Sequence, residues 1–177
     1  MDKNRIDEAT RNVKNYLSES LLKKVDNGDK NIIAVFKKNS EESLKVAQIL
    51  FDNNYSNLWV IVSAYYSMFY MANAVLYKLG YKVGGQIPHK VTADALIAFV
   101  REKLKDKLIE KFEDSMEEAL ELAGVKTDEL IKSFDYERIK RSRFQYELSE
   151  DVKRGKAETS LKRAKEFTFE MEKLLIR

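Results

Sequence analysis

The sequence predicts an all-α protein, an up-and-down helical bundle of five to six helices. Apolar residues recur at spacings of three and four along most of the chain, and no segment shows sustained alternation of apolar and polar residues. One proline and six glycines in 177 residues are too few for the many turns of a β-sandwich. The length suits one domain with a continuous core. Hydrophobic residues make up 44% and aromatic residues 11%, which excludes a disordered chain.

The first helix is expected over residues 3–25, with Ile6, Ala9, Val13, Leu17 and Leu21 on one face, broken by Asp26-Asn27-Gly28-Asp29. The second, over 30–51, carries Ile33, Phe36, Leu44, Ala47 and Leu50. Asn53 to Asn57 then form a loop rich in N-cap residues. The third, over 58–79, stops at Gly80. Residues 81–87 read as a loop, and Pro88 suits a first helical position. The fourth helical region, 88–123, allows a kink or break in the dense charge between Arg101 and Lys107. A fifth helix over 127–148 and a sixth from about Gly155 close the chain. The sixth carries Leu161, Ala164, Phe167, Met171 and Leu174. Residues 1–28 are expected as an N-terminal helical extension of the single domain, and 106–126 as a helical insertion.

Composition removes several kinds of chemistry. Without cysteine there is no disulfide scaffold, thiolate zinc site, iron–sulfur cluster or cysteine nucleophile. With one histidine, His89, a multi-histidine metal site cannot form, and no phosphate-binding glycine loop is present. We expect no metal and no cofactor. The charged, amphipathic start is unlike a signal peptide. The one apolar stretch of membrane-spanning length, 58–79, contains Ser63, Ser67, Asn73 and four tyrosines, so it is expected as a buried central helix, with no membrane partner. The expected location is cytoplasmic. Net charge is only +3, yet it is unevenly spread. Residues 102–129 hold ten acidic and five basic side chains, whereas 138–165 hold ten basic and four acidic. The second stretch is either a solvated helix face or a cationic surface for a phosphate-bearing partner.

The third helix is apolar around most of its circumference. Leu58, Val62, Tyr65, Phe69, Ala72 and Leu76 form one stripe; Ile61, Ala64, Met68, Met71, Val75 and Leu79 form another. The remaining stripe, Trp59, Ser63, Tyr66, Tyr70, Asn73 and Tyr77, carries a polar atom at every position. Buried tyrosine and tryptophan need hydrogen-bond partners. This stripe therefore either faces a cleft, a second subunit or a charged side chain, or is core whose polar atoms find local backbone partners.

Within it, Ala64-Tyr65-Tyr66-Ser67-Met68-Phe69-Tyr70 resembles the AYYAMFH-like signature of prokaryotic HEPN-domain proteins. Ser43 to Ala47 with Asn53-Asn54-Tyr55 is similar to that family's preceding helix. Pro88-His89-Lys90 stands where members often carry S-x-H-K-G, and Arg141 to Tyr146 resembles an R-x-x-A-D-Y segment. Lys156 to Phe167 is similar to the closing helix. The likeness spans roughly residues 30–175 and lies in the order and spacing of the motifs. It implies a helical bundle that forms a homodimer and acts on nucleotide or RNA. It also implies, for toxin-like members, a ribonuclease encoded beside a minimal nucleotidyltransferase, with an active Arg and His separated by four to six residues and brought together across the dimer. Other members bind nucleotides or have no demonstrated activity, so a non-catalytic interaction module paired with a nucleotidyltransferase is also implied.

Mapped onto that motif, Arg141 and Tyr146 are the catalytic candidates, with tyrosine where the family has histidine and Tyr70 where relatives often have another. Metal-independent RNA cleavage needs a base for the 2′-hydroxyl and a cation for the phosphorane. Tyrosine is only about one part in a thousand ionised at pH 7, so the motif reads as degenerate. Five residues apart, Arg141 and Tyr146 lie roughly 140° from each other on one helix. Arg141 and Glu137 interrupt the apolar stripe Leu130, Phe134, Phe144, Leu148, either as an ion pair or with the arginine turned into a cleft or dimer seam. His89, beside Pro88 at a helix start where the dipole favours neutral imidazole, is the alternative base. It is otherwise a solvent-exposed loop-edge residue. Ser63, Tyr66, Tyr70, Asn73, Arg138 and Arg143 are the expected ligand-binding residues.

Overall fold

The computed structural model describes residues 1–26, 29–104, 106–123 and 152–176. Among them are six α-helices: α1 (Lys3–Ser18), α2 (Lys30–Asp52), α3 (Asn57–Lys78), α4 (Pro88–Phe99), α5 (Asp106–Leu122) and α6 (Arg154–Ile176). A 3-10 turn, Arg101–Lys103, separates α4 from α5 where charge crowds the chain. The expected fifth helix over 127–148 lies outside the described residues.

Helix α3 is the centre. Its side chains from Val60 to Tyr77 are buried with few exceptions, and its apolar stripes pack against α2, α4, α5 and α6. It is long and apolar enough to cross a membrane by length and composition, but 72% of its most apolar window is already buried inside the bundle. Ser56 caps its first turn, and Gly80 follows its end at φ 86°, a left-handed conformation that glycine adopts without a steric cost.

Helix α2 lies close against α3 because the contact is made of small residues. Ala47 and Ala64 are fully buried, and the Ser40 hydroxyl donates to the Ser67 carbonyl at 2.7 Å. Helix α6 presents Ala157, Leu161, Ala164, Thr168 and Met171 inward, and its Phe167 stacks on Phe112 of α5 at 5.2 Å. Lys78, at the end of α3, donates to the carbonyls of Leu174 and Leu175, satisfying acceptors that the last turn of α6 leaves open.

Two expectations need correction. The first helix does not reach Val25: it ends at Ser18, and Ser20 turns left-handed at φ 61°. Residues 22–24 then form a strand, β1 (Leu22–Lys24), antiparallel to β2 (Tyr81–Val83), which was expected as loop. Two flanking hydrogen bonds extend the pairing, from Val25 N–H to Gly80 and from Gly84 N–H to Leu21. A Cβ on Gly84 would stand 3.0 Å from the Leu21 carbonyl oxygen, so the close approach depends on glycine. Three-residue strands leave almost no period-two pattern to read.

Residues 1–26 are tied to the bundle by charge as well as by Ala9, Val13 and Leu22. Asp94 of α4 is fully buried and accepts from Tyr16 at 2.9 Å and Asn12 at 3.0 Å. The Arg5 guanidinium lies 2.7 Å from its other oxygen and also donates to Glu113 of α5. The amino terminus pairs with Glu110. Burial pushes the Glu113 carboxyl above its usual range, and the hydrogen bond from Arg5 partly offsets this. Residues 106–122, within the expected insertion, form α5, whose Ile109 and Phe112 are fully buried.

Removing the Asp94 carboxylate would strand the Tyr16 and Asn12 donors and leave the Arg5 guanidinium to Glu113. Asp94→Ala should cost about 3–5 kcal/mol in urea unfolding. A loss below about 1 kcal/mol would show that the network does not hold α1 in place.

Candidate functional site

The polar stripe of α3 divides at its middle. Its N-terminal half, Trp59, Ser63, Tyr66 and Tyr70, lines an open groove of about 460 Å³ between α2 and α3. The opposite wall comes from α2: Asn39, Glu42, Ser43 and Val46. The groove exists because α2 touches α3 through Ser40 and Ala47. The positions beside those contacts on α2 face outward, and Val46 and Trp59 remain exposed at 47% and 56%. The C-terminal half of the stripe is core. Asn73 is buried and donates to the Phe69 carbonyl and to Thr92 of α4, and Tyr77 is buried against Phe36. The structure thus brings Ser63, Tyr66 and Tyr70 together and places Asn73 away from them.

Behind the groove lies an aromatic cluster around His89. The His89 Nδ1 and the Tyr65 hydroxyl are 2.7 Å apart. The imidazole packs 4.6 Å from the Phe69 ring and edge-on to Tyr66 at 5.8 Å. Tyr66 therefore touches the groove on one side and His89 on the other. His89 is positioned by the start of α4, where Pro88 occupies the first turn and Ile87 precedes it at φ 43°, ψ 42°. A β-branched residue there costs about 1–3 kcal/mol, which the packing of Ile87 onto the core must offset. His89 is thus half-buried and hydrogen-bonded rather than an exposed loop-edge residue.

Tyr65 is the residue that periodicity misplaced. It lies in an apolar stripe and is 1% exposed, yet its hydroxyl holds the one histidine of the chain. Burial first, and the nearby Tyr66 second, push its phenol well above the ordinary value of 10. Tyr66 is raised by burial and then by Tyr70. Both phenols are neutral at physiological pH. The one sequence clue to the pairing is that a buried tyrosine hydroxyl needs a partner.

Arg138, Arg141, Arg143 and Tyr146 lie outside the described residues, as does Glu137. Of the basic stretch, α6 carries Arg154, Lys156, Lys162, Arg163 and Lys165; the Arg154 guanidinium sits 4.1 Å over the Phe51 ring and donates to Asn54, tying α6 to the end of α2. Among the described residues, no group of three or more acidic or histidine side chains is arranged to hold a metal ion.

The family model of the HEPN domain matches residues 33–174, about four-fifths of the sequence. The chain belongs to the HEPN family. No curated protein and no solved structure matches it significantly. The HEPN match begins within α2 and ends within α6, so it takes in the groove, the Tyr65–His89 pair and α5. It leaves out α1 and β1, which nevertheless pack into this bundle through Ala9, Val13 and Leu22.

The Tyr65 shift has a consequence for stability. Its folded-state pKa lies above the unfolded value, so the folded protein keeps a proton that the unfolded chain releases above about pH 10. Stability should therefore fall as pH rises past that point. Tyr65→Phe should lose about 1 kcal/mol at neutral pH, for the hydrogen bond to His89. It should also decline less steeply in alkali than the parent. Parallel urea-unfolding curves for the two proteins across this range would contradict the assignment.

Proposed function

We propose that this HEPN protein binds nucleotide or RNA, and that its ribonuclease motif is degenerate. The observation that carries the reading is the groove lined by Trp59, Tyr66 and Tyr70, three aromatic side chains on one helix face with polar neighbours. Single-stranded nucleic acid is held by such aromatic platforms together with cationic tracks along the backbone. The cationic part falls to the basic stretch, with Arg138, Arg141 and Arg143 as phosphate contacts. Membership of the HEPN family supports the same ligand class. A homodimer, a cytoplasmic setting and a minimal nucleotidyltransferase as partner belong to this proposal and rest on the family alone.

A second reading, an active metal-independent ribonuclease, is favoured by His89. Held by Tyr65 and packed on Tyr66, the imidazole is fixed beside the groove. As base it would take the 2′-hydroxyl proton while the 2′-oxygen attacks phosphorus and the 5′-oxygen leaves, giving a cyclic phosphate. Arg141 would stabilise the phosphorane, and Tyr146, in the place of the motif histidine, would be a poor base in its protonated form. The third reading, a non-catalytic module for a nucleotidyltransferase, predicts neither binding nor cleavage of RNA by the protein alone.

Purified protein titrated with a labelled single-stranded RNA should bind weakly. Its affinity should fall with salt at a log–log slope of about −0.7 per contacted phosphate. Arg141→Ala with Arg143→Ala should bind more weakly and show a shallower slope. Unchanged affinity and slope in that folded variant would move the phosphate contacts elsewhere. Rapid cleavage near neutral pH, abolished by His89→Ala, would replace the leading reading with the second.

A further inference from the structure

The groove and the phosphate contacts differ in sign. Among the described residues lining the groove, Glu42 is the one that carries charge, and none is a lysine or arginine. A phosphate placed there would meet the Glu42 carboxylate, with no cation among those lining residues to attract it. Glu42 forms an i,i+4 pair with Lys38 at 3.7 Å, but both side chains are more than half exposed, and such pairs hold their partners weakly. The carboxylate thus remains an acceptor at the groove edge. On the α3 wall of the same groove is Trp59, exposed at 56% in the first turn of a helix whose later side chains are mostly buried. The volume, about 460 Å³, lies within the range of small-molecule sites.

We propose that the α2–α3 groove is a base-recognition subsite, in which a nucleobase bearing an exocyclic amino group stacks on Trp59 and donates hydrogen bonds to Glu42, with the phosphates directed outside. The proposal rests on the nucleotide or RNA reading and makes it specific. Stacking tolerates any base, because every base has a π-face. A carboxylate can only accept, so it pairs with the amino group of cytosine, adenine or guanine, whereas the one ring donor of uracil, its N3–H, is flanked by two carbonyl oxygens that the carboxylate repels. It opposes the carbonyl oxygen that uracil carries where cytosine carries its amine. Ser63 lies on the same wall as Trp59, within the same groove. Binding at this subsite, unlike that of the phosphates, should be nearly independent of salt, since no counterions are released by a neutral base.

Trp59 is the single tryptophan of the chain, so tryptophan emission, excited selectively over the tyrosines, reads the groove. Cytidine and uridine, both pyrimidines, should be titrated against the full-length protein, with inorganic phosphate as a third probe. Cytidine should quench Trp59 at lower concentration than uridine, at low and high salt alike, and phosphate should not quench it. Glu42→Gln, on an exposed position, should cut the preference for cytidine by about three- to tenfold while leaving uridine little changed. Trp59→Ala should weaken binding of a labelled oligocytidine by about tenfold, read by anisotropy. Equal quenching by the two nucleosides would overturn recognition of the amino group. Oligocytidine binding with unchanged Trp59 emission would overturn the subsite while leaving RNA binding intact. An emission change with protein concentration alone would assign the face to a second copy of the chain and overturn the proposal. Absence of binding by every nucleoside and RNA would overturn the parent reading with it.

Discussion

Helix α3 carries more apolar surface than any one neighbour can cover. Burial of a large aliphatic side chain contributes about 1.5–3 kcal/mol, and α3 has Ile61, Met68, Val75 and Leu76 all but inaccessible to water on different sides. It must therefore be surrounded. Helices α2, α4, α5 and α6 are placed by that need, and each meets α3 with a stripe of its own. The small residues of α2 allow the closest approach, the aromatic rings of α5 and α6 fill the wider space, and Lys78 closes the end of α6.

The same constraint creates the site. Among the described residues, four helices do not close completely around α3, and the gap falls between α2 and α3, where the outward positions of α2 are too short or too polar to seal it. Trp59, Tyr66 and Tyr70 face that gap. The polar start of α4 covers the next sector, so His89 rests on Tyr65, Tyr66 and Phe69 instead of facing water alone. Groove and histidine are thus two sides of one aromatic layer, and Tyr66 is common to both. Arg5, Asp94 and Glu113 hold α1 over α4 and α5, and Asp94 is only five positions from His89 on the same helix.

Local signals made α2 and α3 legible to within a residue or two. Asn53 to Ser56 interrupt the apolar pattern between them, and Gly80 supplies a stop. Pro88 marked the start of α4, and the crowded charge after Arg101 marked its break. Helix α1 overran because Leu17 and Leu21 continue the helical spacing, while the left-handed turn at Ser20 and the pairing of Leu22 with Val83 are decided by a partner far along the chain. At the site, spacing gathered the polar face of α3 and left open whether it was the wall of a cleft or core. It could not separate Tyr66 and Tyr70 from Asn73, since a stripe at helical period does not say where along the helix the neighbour ends. Tyr65 was hidden for the converse reason: its ring belongs to the core, while its hydroxyl acts beyond it. Asp94, lodged in an apolar run of α4, was another buried polar group whose partners are non-local.

The central claim is that the open face between α2 and α3 is where nucleic acid meets this HEPN bundle. Ultraviolet crosslinking of a short mixed-sequence single-stranded RNA to the purified protein, followed by mapping of the modified peptides, tests it directly. Crosslinks concentrated at Trp59, Tyr66 and Tyr70 are the outcome this account requires. Crosslinks confined to the exposed side of α6, around Phe169, with none on the N-terminal half of α3, would contradict it.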